Sequence, residues 1–332
     1  MELCSLPPTY PLPMFTTIDA RSLFVGREAG ASFRDQNTIT QSVSLTGFGF
    51  WTGEDVTIQF RPAPPNSGIV FIRNDLFGHP RIPALVEYRE EKPRQTSLVC
   101  GDARVDMVEH VLAALNGLRI DNCEIWTNQP EMPGFDGSSQ MFVTALNETG
   151  IVAQPAKRPI RVVTRAFHLG DKQSYMIVTT SRRGTCDFQY TLVPEEKYPL
   201  STQRCQFILT PEKFCDELAR TRTFIAKHEA DELLAKGLCH RVTPQNVLVL
   251  TEEGPMENSF LYENECARHK TLDMVGDFAL LGCDLVGTFE SFRGGHSLNA
   301  ECVRQLLDKT MLLRAEDFAQ SCQEQDFFRE AA

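Results

Sequence analysis

Hydrophobic and polar residues alternate in short stretches of the first third of the chain. Residues 42–46 read Ser-Val-Ser-Leu-Thr and residues 56–60 read Val-Thr-Ile-Gln-Phe, with Gly47 and Gly49 between them. A period of two predicts half-buried strands, and the glycines predict a turn, so this part is predicted to form a β-hairpin. The proline-rich residues 62–68 predict another turn, and the apolar residues 69–72 predict a further strand.

A helical period follows. Apolar residues recur at steps of three and four from Val108 to Leu118, which predicts an amphipathic helix, and residues 122–126 predict a strand. A loop at residues 136–139 is predicted to cap a second helix, whose buried stripe includes Phe142, Val143 and Leu146. Small and turn-forming residues at 147–159 predict a linker.

The second half of the chain repeats this order of strands followed by helices. Strands are predicted at residues 160–163 and 175–179, and helices from Pro211 and from Glu265. The repetition predicts an α+β fold with two layered domains that face each other, at residues 37–153 and 159–320. Residues 1–36 contain four prolines and are predicted to be a poorly ordered extension.

An insert interrupts the second predicted domain at about residues 225–261. It contains a short helix ended by Gly237 and an apolar strand at residues 247–250. Its position between two longer helices suggests that it forms a wall of a ligand site.

Composition narrows the classes of protein that fit. The chain has 332 residues, 42% of them hydrophobic, which excludes general disorder. Its net charge of -11 argues against nucleic acid as the main partner. The 11 cysteines include no C-x-x-C pair and are predicted to be reduced thiols of a cytoplasmic protein. No apolar stretch reaches the roughly 18 to 20 residues that span a bilayer, and no secretory signal is recognisable at the start.

The strongest chemical pattern is His269, Asp273 and Asp277, which are spaced four residues apart and share one face of a helix. His269 and Asp273 could hold a metal ion together. The same spacing also fits an ordinary ion pair on a solvated helix, and that alternative stays open.

Glu109 and His110 begin the first predicted helix. Alone, His110 is more simply a buried or surface histidine. Together with His269 and Asp273 it completes a set of three ligands, which leaves zinc a fourth position for water with a pKa of about 7. Glu109 would then remove the proton from that water.

A third histidine, His296, follows Gly294 and Gly295. It is either a loop histidine with an ordinary pKa near 6.5 or a cationic general acid that Asp277 keeps protonated.

Several separated motifs occur in an order typical of one enzyme family. They are Val108-Glu109-His110, Ile120-Asp121-Asn122, Pro130-Glu131-Met132-Pro133, Phe135-Asp136-Gly137-Ser138, Arg222-Thr223-Phe224, residues 269–277, and Gly295-His296-Ser297-Leu298-Asn299. From about residue 36 to residue 313 the chain resembles the UDP-3-O-acyl-N-acetylglucosamine deacetylases, usually called LpxC. Each motif alone is weak, but the ordered series is specific.

The resemblance implies two layered β/α sandwich domains with the active site between them and a βαβ insert in the second domain. It implies zinc-dependent hydrolysis of the N-acetyl group of UDP-3-O-(3-hydroxyacyl)-N-acetylglucosamine, which releases acetate and commits the sugar to lipid A. The implied metal ligands are His110, His269 and Asp273, and Glu109 activates the water.

The remaining implied roles concern the substrate. Thr223 donates to the oxyanion, His296 supported by Asp277 stabilises charge and donates a proton, Lys270 meets a phosphate or sugar oxygen, and Phe224 packs on the substrate. Either Glu109 or His296 could protonate the leaving amine. Five insert residues could line an acyl tunnel or could simply pack the insert: Leu233, Leu234, Leu238, Val247 and Val249.

Three departures from the family pattern affect what is expected of the substrate. Trp51 stands where members commonly have histidine, Arg241-Val242 replaces part of a glycine-rich turn, and Asp106-Met107 replaces small hydroxyl residues. The first two put the acyl chain in doubt. They keep two alternatives open: a paralogue that deacetylates another N-acetyl-hexosamine conjugate, and a non-catalytic protein that binds sugar nucleotides.

Other implied properties are a monomer in the cytoplasm with transient contact at the inner membrane. Iron also suits such ligands, so the metal is open between zinc and iron.

Overall fold

The computed structural model describes residues 33–194 and 200–317. The strands of the first half are β1 (Asp35–Ile39), β2 (Val43–Phe48), β3 (Asp55–Pro62), β4 (Ile69–Arg73), β5 (Arg81–Pro83), β6 (Arg89–Glu90), β7 (Ser97–Cys100), β8 (Ala103–Asp106), β9 (Cys123–Thr127) and β10 (Ile151–Lys157). Those of the second half are β11 (Ile160–Val162), β12 (Phe167–Gly170), β13 (Tyr175–Thr179), β14 (Cys186–Leu192), β15 (Gln203–Ile208), β16 (Phe224–Ala226), β17 (Leu248–Thr251), β18 (Gly254–Pro255), β19 (Asp284–Phe292) and β20 (Met311–Leu313). The helices are α1 (Glu109–Gly117), α2 (Gln140–Thr149), α3 (Pro211–Lys213), which continues into a π turn (Phe214–Leu218), α4 (Lys227–Ala235), α5 (Glu265–Phe278) and α6 (His296–Lys309).

The first half forms a five-stranded sheet in the order β2-β3-β9-β4-β5, and β6, β7 and β8 form a smaller sheet. The predicted hairpin is present, with Val43 opposite Phe60 and Phe48 opposite Asp55. Inward residues of β3 are fully buried and alternate with partly exposed ones, because one face of the sheet packs on the helices. Phe60 meets Phe142 of α2 edge to face, so the alternating pattern of the sequence does define this core.

The second half forms a seven-stranded sheet along β12-β13-β19-β11-β20, with β14 beside β19 and β15 beside β14. Helix α5 packs on β14 and β15 and also contacts α1 and α6. Twelve of its 14 residues are buried, although several are charged. Buried charges require partners, which marks α5 as the place to look for a site. The mixed α+β architecture agrees with the predicted fold class, and the division into two domains remains a prediction.

The predicted linker is wrong, because residues 151–157 form β10. This strand pairs antiparallel with β1, with Ile39 opposite Ile151 and a bulge next to Asp35. The two strands hydrogen-bond each other, so this segment is part of a sheet and not a free connection.

The predicted disordered extension also ends too late. Phe33 is buried, and the Arg34 guanidinium lies 2.6 Å from Asp121 and 2.6 Å from Asp284. Residues 33–36 therefore belong to the folded structure, and residues 1–32 lie outside the described part of the chain.

The insert has the expected βαβ form. β16 and β17 are parallel, with Phe224 opposite Leu248, and α4 connects them. Gly237 has a φ of 75° just after α4, a left-handed conformation that glycine adopts at little cost. No residue of α4 is buried, so its leucines are available to line a cavity.

Membrane-spanning helices and cysteine pairing were also considered from the sequence. In residues 33–194 and 200–317, no helix is long and apolar enough to cross a membrane. The cysteines in these same ranges are free thiols.

Candidate active site

The three predicted metal ligands converge. His110 is the second residue of α1, and His269 and Asp273 lie one turn apart on α5. His110 Nε2 is 3.6 Å and His269 Nε2 is 3.4 Å from Asp273 Oδ1, and potential ligand atoms of all three lie within 4.8 Å of one another. All three side chains are buried. The interpretation of His269 and Asp273 as a solvated ion pair is therefore wrong.

The orientation of these side chains fits a divalent metal ion. The Nδ1 of His269 is 3.1 Å from the carbonyl oxygen of Thr221, so the Nδ1–H donates there and Nε2 keeps a lone pair for a metal. Asp273 Oδ1 is buried and has no hydrogen-bond partner among the described residues. Two imidazole nitrogens and one carboxylate oxygen are a donor set that zinc takes in catalytic sites.

The pKa values of His269 and Asp273 also suit the binding of a cation. Burial lowers the pKa of His269 to about 4, and the opposing charge of Asp273 does not restore it. Burial alone would raise the pKa of Asp273, but Lys270 and His269 hold it well below its usual range. The Lys270 Nζ donates to Asp273 Oδ2 at 2.7 Å. At neutral pH the cluster therefore offers a neutral imidazole and an ionised carboxylate.

Glu109 precedes His110 and points into the same cavity. It is 4% exposed, and its Oε2 accepts the backbone N–H of Thr96 at 2.9 Å. Burial raises the pKa of Glu109, while the charges of His296 and His110 oppose that rise. A carboxylate with a raised pKa beside a metal site suits a general base.

His296 begins α6, and its Nδ1 lies 2.9 Å from Asp277 Oδ2. The other bonds to this carboxylate come from Asn299 Nδ2 at 2.8 Å and from the Thr96 hydroxyl at 2.6 Å. Burial alone would lower the pKa of His296, but Asp277, Glu109 and Asp273 outweigh it and raise this pKa to about 9. His296 is therefore the cationic histidine of the two alternatives considered from the sequence.

Thr223 and Phe224 approach from the start of the insert. Thr223 donates both its backbone N–H and its hydroxyl to the Gly137 carbonyl, at 2.8 and 3.0 Å. Its Oγ1 is also 3.2 Å from His269 Nε2. The ring of Phe224 meets that of His269 edge to face, with centroids 6.2 Å apart. Both side chains thus border the ligand cluster.

A cavity of about 660 Å³ joins these groups. Polar groups of the site line it, namely Glu109, His110, Thr223, His269, Lys270, Asp273 and His296. Insert residues form an apolar wall, namely Ile225, Leu233, Leu234, Val247, Val249 and Met256. Leu238 was predicted to line a tunnel and does not border the cavity. The arrangement suits a ligand with a polar reacting group and an apolar chain.

Two of the departures from the family pattern, at Trp51 and at Arg241-Val242, lie at or near the cavity. Trp51 borders it, on a loop whose backbone N–H groups at Trp51 and Thr52 donate to Glu131 at 2.8 and 3.0 Å. Val242 also borders the cavity, but the Arg241 guanidinium binds the Gly53 carbonyl at 2.5 Å and Asp55 at 2.7 Å. Only one of the two replacing side chains therefore reaches the ligand space.

The third departure lies beside the cavity wall. Asp106 Oδ2 accepts from Lys92 at 3.0 Å, and both Lys92 and Met107 border the cavity. Asp106 thus holds a lysine at the cavity wall, which gives this carboxylate a function that the sequence alone did not suggest.

Sequence reasoning missed four residues that hold the site together: Thr96, Thr221, Glu131 and Asn299. Their contacts are hydrogen bonds to backbone groups or to side chains of the candidate site that are distant in sequence. Glu131 and Asn299 lie inside the quoted motifs, which was the available signal, and Thr96 and Thr221 carried none.

Comparison with known proteins agrees with this geometry. The profile of the family described as UDP-3-O-acyl N-acetylglycosamine deacetylase (LpxC) matches residues 36–308. A UDP-3-O-acyl-N-acetylglucosamine deacetylase of Anaeromyxobacter sp. (strain Fw109-5) is 35% identical over 83% of this chain and 90% of its own length. The enzyme of that name from Chlamydia caviae is 33% identical over 83% of this chain and 98% of its own length.

A longer relative matches as well. A bifunctional enzyme LpxC/FabZ of Chlorobaculum tepidum is 36% identical over 82% of this chain, and the match spans 64% of that enzyme. The chain thus spans less than two thirds of this relative, so its similarity bears on one part of that enzyme.

Proposed function

The chain belongs to the UDP-3-O-acyl N-acetylglycosamine deacetylase family, and from that membership we propose that it hydrolyses the N-acetyl group of UDP-3-O-(3-hydroxyacyl)-N-acetylglucosamine. The products are acetate and the free amine, and the reaction commits the sugar to lipid A biosynthesis. The observation that carries the proposal is the convergence of His110, His269 and Asp273 beside Glu109 and His296.

We propose zinc as the cofactor, held by His110, His269 and Asp273. When bound there, zinc supplies a Lewis acid for the acetamide carbonyl and lowers the pKa of a bound water. The orphaned Asp273 Oδ1 and the Thr221 carbonyl that orients His269 support this assignment.

Glu109 acts as the general base. Its carboxylate takes the proton of the attacking water while the water oxygen bonds to the acetamide carbon. The Thr96 N–H holds the carboxylate in place, and burial keeps bulk water from competing for it.

Thr223 and His296 stabilise the charge that develops on the carbonyl oxygen. The Thr223 hydroxyl, which donates to the Gly137 carbonyl in the structure, turns to donate to this oxyanion when substrate is bound, and the imidazolium of His296 adds a positive charge nearby. Because an amide anion is a very poor leaving group, the departing nitrogen needs a proton. We assign that proton to His296, which Asp277 keeps cationic.

The rest of the cavity binds the substrate. Lys270 offers a positive charge to a phosphate or a sugar oxygen, and Phe224 packs on the sugar or the start of the acyl chain. The apolar wall of the insert accommodates the acyl chain. We further propose that the protein works as a monomer in the cytoplasm, where nucleotide sugars are made, and touches the inner membrane transiently.

Acetate release from UDP-3-O-acyl-N-acetylglucosamine and from UDP-N-acetylglucosamine tests the proposal. We expect turnover of the acylated substrate with kcat/KM at least about a hundredfold higher, since each buried methylene contributes about 0.8 kcal/mol. Equal rates on both would favour a paralogue with another N-acetyl-hexosamine substrate. This alternative rests on Trp51 and Val242, which depart from the family pattern and border the cavity. Protein that neither contains zinc nor deacetylates after zinc addition would instead be a non-catalytic binding protein.

A further inference from the structure

Thr96 is a buried residue just before β7 that contacts both proposed proton-transfer groups. It is 0% exposed, and it does not border the cavity. All of its polar groups are hydrogen-bonded. Its carbonyl accepts from the Val108 N–H at 3.2 Å, its N–H donates to Glu109 Oε2 at 2.9 Å, and its hydroxyl donates to Asp277 Oδ1 at 2.6 Å.

These bonds connect three helices that the sequence places far apart. Glu109 begins α1, Asp277 lies near the end of α5, and His296, whose Nδ1 is 3.3 Å from the Thr96 hydroxyl oxygen, begins α6. Thr96 therefore contacts Glu109, the proposed base, through its main chain. Through its side chain it contacts Asp277, the partner of the proposed acid His296.

The hydroxyl also decides how the Asp277 carboxylate is turned. Asp277 Oδ2 accepts from His296 Nδ1 and Asn299 Nδ2, and Oδ1 accepts from Thr96. With a donor on each oxygen, the carboxylate cannot rotate without breaking a buried bond to a charged group, which is costly. The Thr96 hydroxyl thus keeps Oδ2 directed at His296.

We propose that Thr96 is a positioning residue that fixes the Asp277–His296 pair relative to Glu109, so that the base and the acid keep a set geometry at the reacting amide. The proposal rests on the proposed deacetylase function. Thr96 does not touch the substrate, and its effect on the reaction passes through His296.

Substitutions at Thr96 separate positioning from packing. Thr96→Val keeps the shape and the N–H bond to Glu109 but removes the hydroxyl, whereas Thr96→Ser keeps the hydroxyl and removes the methyl group. If Thr96 positions Asp277 and His296, Thr96→Val lowers kcat about tenfold to a hundredfold, which is the range expected for losing a hydrogen bond to a charged group. KM should stay within about twofold because the cavity lining is unchanged, and Thr96→Ser should stay within about threefold of wild type in kcat.

A role in packing alone reverses that order. Thr96→Ser would then be the damaged variant, and Thr96→Val would resemble wild type; either result overturns the proposal. Thr38→Val is the matched control, since Thr38 is also buried and donates its hydroxyl at 2.6 Å to the Asn122 carbonyl away from the site. Its kcat should equal that of wild type. If Thr96→Val does not fold, Thr96→Ala removes the same hydroxyl without adding atoms.

A second measurement does not depend on turnover. In protein with ¹⁵N-labelled histidine, the His296 Nδ1–H resonance at pH 7 should shift in Thr96→Val and return to the wild-type position in Thr96→Ser. An unchanged resonance in Thr96→Val contradicts the proposal. Absence of deacetylation by the wild type would contradict the proposed function instead, and the resonance would still decide the role of Thr96.

A double-mutant cycle completes the test. If Thr96 acts through His296, Thr96→Val should cost little further activity in a His296→Ala background. Full additivity of the two losses would show that Thr96 does not act through His296.

Discussion

At the scale of single residues, the neighbours of each histidine decide its charge. His269 and His296 are both enclosed, yet burial lowers the pKa of His269 to about 4 while Asp277 and nearby acids raise that of His296 to about 9. The first is neutral, as a metal ligand must be, and the second is cationic, as an acid must be. The sequence showed these histidines and Asp277, but it could not show their contacts.

The raised pKa of His296 predicts a dependence of stability on pH. The folded pKa of about 9 lies above the ordinary value of 6.5, so the protonated imidazole stabilises the fold fully below about pH 6.5, and this contribution is lost as the pH rises through about 9. Relative to His296→Ala, metal-free wild type should lose of order 2 kcal/mol of unfolding free energy between pH 6 and pH 10.

Urea unfolding of both proteins at several pH values measures this difference. Asn299→Ala, which removes one donor to Asp277 but keeps His296, should retain most of the pH dependence. A difference between wild type and His296→Ala that is constant from pH 6 to pH 10 would show that the folded protein does not hold His296 protonated.

At the scale of elements, the crossing of α1 and α5 assembles the proposed metal ligands. A Cβ on Gly276 would lie 2.0 Å from the carbonyl oxygen of Glu109, so the helices touch where only glycine fits. This contact places His110 next to His269 and Asp273. The sequence predicted both helices from their apolar period, but not that they cross.

Gly276→Ala should therefore damage both stability and metal binding. The added methyl group forces α1 away from α5, and we expect a loss of about 2 kcal/mol or more of unfolding free energy, with bound zinc falling well below one per chain. Gly68→Ala is the control, because its Cβ meets open space at a φ of 67° and costs backbone strain of about 1 kcal/mol. Zinc content measured by atomic emission should stay normal in Gly68→Ala, and normal zinc in Gly276→Ala would contradict this role of the crossing.

The strands show where prediction from sequence stops. The alternation of inward residues predicted β3, whereas β10 lies in a segment whose small and turn-forming residues predicted a linker, and all seven of its residues are exposed or partly exposed. Its partner β1 is more than 100 residues away, with Ile39 opposite Ile151. A strand defined by a distant partner leaves little local pattern.

At the scale of the whole molecule, the site draws on both halves of the chain and on the insert. Glu109 and His110 come from the first half, His269 and His296 from the second, and Leu233 from the insert. The ordered series of motifs predicted that these residues share one site, because residues with a common function must lie together even when they are distant in sequence. The volume and wall of the cavity depend on packing, which the sequence does not show.

Leu233→Asp tests whether the apolar wall serves the acyl chain. A carboxylate on this wall should raise KM for the acylated substrate at least about tenfold, since it opposes burial of the chain, while the rate of UDP-N-acetylglucosamine turnover should not change. Ala235→Asp places the same charge near the end of the same helix, on a residue that does not border the cavity. In steady-state kinetics, KM for the acylated substrate should be higher in Leu233→Asp than in Ala235→Asp. Equal KM values in the two variants would contradict an acyl site on the insert.

The metal content of the purified protein is the most direct test of the site as a whole. We predict about one zinc ion per chain in wild type, a loss of that zinc in His269→Ala and in Asp273→Ala, and retained zinc with at least a hundredfold lower kcat in Glu109→Ala. Zinc that stays at one per chain in both ligand variants would contradict the assignment of His110, His269 and Asp273 as the metal site.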